Sequence, residues 1–86
     1  MKYIATEQAR EEIEKTNGNE FVLHYTKKDG SFRRIVCRLS IMRGGEENRI
    51  SIYDTESAGV RVIYVSSIIA ILFKGDCCYV NKEKVD

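Results

Sequence analysis

From Glu20 onward apolar and polar residues alternate with a period of two, the spacing of strands whose two faces meet different surroundings. EFVLHYT, residues 20–26, sets Phe21, Leu23 and Tyr25 on one face and Val22, His24 and Thr26 on the other. KKDGS follows at 27–31, with Asp29-Gly30 where a hairpin needs positive φ, so the next strand returns antiparallel. That second strand runs from Phe32 to about Met42, with Ile35, Cys37, Leu39 and Ile41 inward and Arg34, Val36, Arg38 and Ser40 outward. A strand of about eleven residues predicts the strong bend of a small barrel.

RGGEEN, residues 43–48, reads as a polar loop, and Arg49 to Asp54 as a third strand with Ile50 and Ile52 inward. After a reversal over Thr55 to Gly59, a fourth strand spans Val60 to Val65. At one end it is apolar on both faces, as expected of a strand covered by a helix or a neighbouring subunit. Ser66-Ser67 starts a single helical turn carrying Ile68 and Ile69, because serine hydroxyls compete for backbone bonds. Ala70 to Phe73 forms a fifth strand, Cys77 to Val80 offers a last pairing segment, and NKEKVD is a frayed tail. Ahead of all this, residues 6–16 hold good helix formers behind a capping Thr6 and stop at Asn17-Gly18. Ala5, Ala9 and Ile13 make a thin apolar stripe, while Glu11, Glu12 and Glu14 make a solvated face. The expected fold is mainly β: one short helix, then a five-stranded, strongly bent antiparallel barrel over about 20–80.

With 86 residues the chain supports one core, hence one domain over 1–86. No apolar run approaches the roughly 18 residues that span a bilayer, and the first residues lack the apolar centre of a secretory signal. A cytoplasmic protein is expected, with no membrane association. Three cysteines, two of them adjacent, make no disulfide framework and are expected reduced.

One helix followed by five short bent strands, with a single helical turn before the fifth, is similar to the Sm-like small barrel. Within that class, Val22 to Ile71 resembles a WYL domain, a ligand-sensing barrel of bacterial regulators. The matching residues are Tyr25, Asp29-Gly30, Arg34, Tyr53-Asp54, Gly59 and the run from Arg61 to Ile69. Ile50-Ser51-Ile52 stands where that family carries its Trp-Tyr-Leu signature, and the chain has no tryptophan. The resemblance implies that strand arginines, here Arg34 and Arg61, contact nucleic acid or a nucleotide-like ligand.

No nucleophile stands in a motif beside a base, and His24 is an isolated strand histidine, so no enzyme activity is expected. Adjacent Cys77 and Cys78 point to opposite sides of a strand and cannot grip one ion together, and Cys37 faces the core; neither metal nor cofactor is expected. Charge does have a pattern. Lys27 to Arg38 carries five positive charges and one negative, whereas Glu7 to Lys15 carries four negative and two positive, although the whole chain nets only +1. Arginines beside aromatic rings hold phosphates and bases, so the candidate ligand residues are Arg34, Arg38 and Arg61 with Tyr25 and Tyr53, and the expected ligand is a nucleotide or single-stranded nucleic acid. The same charges also suit a solvated strand edge.

Ile63, Val65, Ile68, Ile69, Ile71, Leu72 and Phe73 exceed what one side of so small a barrel can bury, which predicts a homo-oligomer. Sm-like barrels pair the fourth strand of one subunit with the fifth of the next. The alternative function is a protein-interaction or inhibitor protein, of a size usual in phages and mobile elements, docking through those apolar strands and the acidic helix.

Overall fold

The computed structural model describes residues 2–40 and 48–80. Expectations for Ile41, Met42, most of the polar loop and the tail at 81–86 lie outside them. Among the described residues seven strands form one sheet: β1 (Lys2–Ile4), β2 (Phe21–Thr26), β3 (Phe32–Leu39), β4 (Arg49–Asp54), β5 (Gly59–Tyr64), β6 (Ile68–Phe73) and β7 (Asp76–Val80). Their order is β1-β7-β6-β2-β3-β4-β5.

The fold is mainly β, but it is neither five-stranded nor closed into a barrel. β1 was not anticipated, because three residues show no alternation and their parallel partner β7 lies at the far end of the sequence. Every other ladder is antiparallel. Between β2 and β6 the register shifts at His24/Tyr25, so that Ile69 is the extra residue of a bulge that bends the sheet. Inward side chains from both ends of the sheet, Ile4, Cys78 and Val80 at one and Ile50, Ile52 and Ile63 at the other, meet in a single core. The sheet therefore curls around one apolar centre while its edges stay apart.

A 3-10 turn (Thr6–Gln8) leads into α1 (Ala9–Glu14), whose Ala9 and Ile13 are fully buried in that core. Thr6 does not cap it. Gln8 is the N-cap of α1, and the cap of the preceding 3-10 turn is Ala5, whose backbone N–H donates to Gln8 Oε1 at 2.9 Å, because a glutamine three residues on can reach back over the first turn. Asn17 and Gly18, both at positive φ, end the segment as expected. Glu12 belongs to no free acidic face: it pairs with Lys2 at 2.5 Å and Lys15 at 3.3 Å. Among the described residues no helix is long and apolar enough to cross a membrane.

Late in the chain the 3-10 turn falls at Val65–Ser67, earlier than expected, so Ile68 and Ile69 join β6. Ser67 Oγ closes it by donating to the Tyr64 carbonyl at 2.7 Å. The expected apolar surplus is largely absorbed within the molecule: Ile63, Val65, Ile68 and Ile71 are core residues. β6, which contains the expected fifth strand, is bonded by β2 on one side and β7 on the other. Among the described residues the sheet edges are β5 and β1.

Candidate functional site

Strand parity and register decide where the candidate ligand residues fall. On β3, Ile35 and Cys37 enter the core, so Arg34 and Arg38 leave the opposite face and are exposed. Register carries that outer face across the next two strands: Arg38 pairs with Tyr53 and Tyr53 with Val60, Ser51 pairs with Val62, and Arg49 with Tyr64. Two arginine–tyrosine stacks result. The Arg38 guanidinium carbon lies 4.6 Å from the Tyr53 ring centroid and that of Arg49 5.1 Å from the Tyr64 centroid. Between them Val60 and Val62 are 48% and 61% exposed, and Tyr64 is 40% exposed.

No carboxylate sits on this face of β3, β4 and β5 among the described residues, because Asp54 is turned inward. Arg34 extends the face toward β2, where it is paired in register with His24. The His24 ring meets exposed Phe32 edge-on, with centroids 5.2 Å apart, and its Nε2 is buried with no hydrogen-bond partner among the described residues. Burial, and secondarily the charge of Arg34, lower its pKa and favour the neutral ring.

Tyr25 and Arg61 are elsewhere. Tyr25 is 8% exposed, a core residue on the inward face of β2. Arg61 points to the inward side of β5, where its Nε donates to Asp54 Oδ2 at 2.8 Å. Asp54 is 2% exposed. Its Oδ1 accepts the backbone N–H groups of Glu56 at 3.0 Å and Ser57 at 3.2 Å, which fixes the β4–β5 turn. The Arg61 bond above all, followed by those backbone donors, outweighs burial and holds the Asp54 carboxyl at about 2. Tyr25 and Arg61 do share a cleft of about 440 Å³ beside β5, together with Lys27, Lys28, Tyr64 and Ser67.

So the outer face collects Arg34, Arg38 and Tyr53 and leaves out Tyr25 and Arg61. Reading the sequence alone offered Phe32 as a stacking surface beside Arg34 and Arg38 but missed Arg49 and Tyr64. The signal for those two was available, since the tight β4–β5 reversal places Arg49 opposite Tyr64 once Asp54 is set opposite Gly59. Cys37 is the buried small hydrophobe it was expected to be, with its thiol pushed up to about 12 by burial. No protein-family model, no curated protein sequence and no solved structure matches the chain.

Proposed function

We propose that this chain is a non-enzymatic regulatory binding module that holds single-stranded nucleic acid on the outer face of β3, β4 and β5. One observation carries the reading: two arginine–tyrosine stacks stand on one sheet face. Tyr53 and Arg49, four residues apart on β4, set the two stacks about 13 Å apart along the strand. Guanidinium groups supply charge for successive phosphates, and the flat rings and exposed valines supply surfaces on which bases stack with little regard to sequence. On this reading the WYL-like and Sm-like resemblance is one of architecture. The ligand surface then rests on Arg34, Arg38 and Tyr53 with Arg49 and Tyr64, while Arg61 and Tyr25 serve the fold beside it.

Titration of a labelled single-stranded oligonucleotide by fluorescence anisotropy at low salt tests this. Saturable binding is expected, and Tyr53→Ala weakens it by roughly 5- to 100-fold, the range for losing one stacking ring. Native protein that leaves the oligonucleotide unbound at low salt, where phosphate contacts are strongest, overturns the reading.

A further inference from the structure

β5 is an edge strand without the usual protection. All six of its residues pair regularly with β4 through a ladder without a bulge, and the strand contains neither lysine nor proline. Its one charge, Arg61, is engaged by Asp54. Among the described residues no strand pairs with the other side of β5, which borders an open cleft, and its outward side chains Val60, Val62 and Tyr64 are exposed. An edge of this kind is a template for another strand.

We infer that β5 pairs with β5 of a second copy of this chain, antiparallel about a two-fold axis at Val62, joining two sheets into one. Charge and length select this partner and this register. Centring the axis on Val62 sets Val62 against its counterpart and Val60 against the partner's Tyr64, so each of the three exposed side chains gains a cross-strand neighbour on the outer face. Moving the axis to Arg61 would place two arginines directly opposite each other, an unfavourable like-charge pair, and strand Tyr64 outside the ladder. Moving it to Ile63 would strand Val60 instead. Pairing β5 with the opposite edge offers only the three residues of β1, one of them charged Lys2, and being heterologous it gives a ring or an open fibre. The isologous pair closes at two copies. A seam one strand deep lies at the low end of specific interfaces, so a concentration-dependent dimer follows.

A two-fold axis perpendicular to the sheet keeps the outer faces on the same side. Where the nucleic-acid reading holds, on which this consequence alone rests, Tyr53 and Val60 of one copy continue into the partner's Tyr64 and Arg49. Each platform is then extended by the other copy.

Sedimentation equilibrium of the protein without nucleic acid, over a range from micromolar to hundreds of micromolar, tests the dimer apart from the ligand. The native chain is expected to pass from monomer to dimer, and Val62→Lys to weaken the dimer by about 10-fold or more through two like charges at the axis. Cysteine substitution reports the register. Val62→Cys faces its counterpart at the 4.5–5.5 Å of opposed strand residues and forms a covalent dimer on mild oxidation. Val60→Cys lies about 14 Å from its counterpart and does not. The native chain under the same oxidant controls for half-buried Cys77. A monomer at every concentration, a dimer indifferent to Val62→Lys, or equal cross-linking through Val60→Cys overturns the inference.

Discussion

Asp54 is the residue on which two elements turn: its carboxylate fixes the backbone of the β4–β5 turn and the guanidinium of Arg61. Its acidity is held at about 2 in the folded state against 3.8 ordinarily. The contribution is fully present above the unfolded value and is lost as pH falls from about 4 through 2. A shift of this size corresponds to about 2 kcal/mol. Asp54→Asn is therefore expected to lower unfolding free energy by about that amount at pH 7, with the gap to the native chain narrowing below pH 4; denaturant titration at several pH values measures it. The sequence alone brought Asp54 and Arg61 into one motif by resemblance. It did not pair them, because that contact depends on both residues facing inward across a turn.

At the scale of elements, α1 has six residues, too few to persist without tertiary support. Its docking on the core through Ala9 and Ile13 sustains it. Ile13→Ala removes a fully buried side chain and is expected to cost about 3 kcal/mol, read as a lowered midpoint in thermal melting. The stripe of Ala9 and Ile13 was legible because a helical period of four positions gives its own signal. β2 and β4 were legible in the same way from alternation bounded by turn residues, with β4 placed at Arg49–Asp54 as expected. β1 was not, since a parallel ladder of three residues leaves no pattern in its own stretch of chain.

Over the whole molecule the net charge of +1 says little about a polyanionic partner, whereas the placement of charge says a good deal. If Arg34, Arg38 and Arg49 each meet a phosphate, the logarithm of the binding constant falls with that of salt at a slope of about −2 for a single strand. Arg38→Ala is expected to flatten that slope by about 0.7, and titrations at four or five salt concentrations resolve the change. Tyr53→Ala, which removes a ring and no charge, leaves the slope unaltered while lowering affinity. An uncharged or stacking-only contact would show no such difference between the two variants.

The amino-acid order alone determined a mainly β chain with one short helix, which sides of β3 and β4 face the core, and the Asp29-Gly30 hairpin turn, for these follow from local periodicity and from the φ that glycine permits at +87°. It also collected the basic stretch from Lys27 to Arg38. Tertiary structure decided the rest. β6 is paired on both sides, by β2 and β7, while β5 is left as an edge, and register across three strands assembles two arginine–tyrosine stacks from residues far apart in sequence. The reason is physical: a strand specifies its own faces by alternation, but its neighbour, and whether an edge stays open, depends on which distant segment reaches its backbone hydrogen-bonding groups.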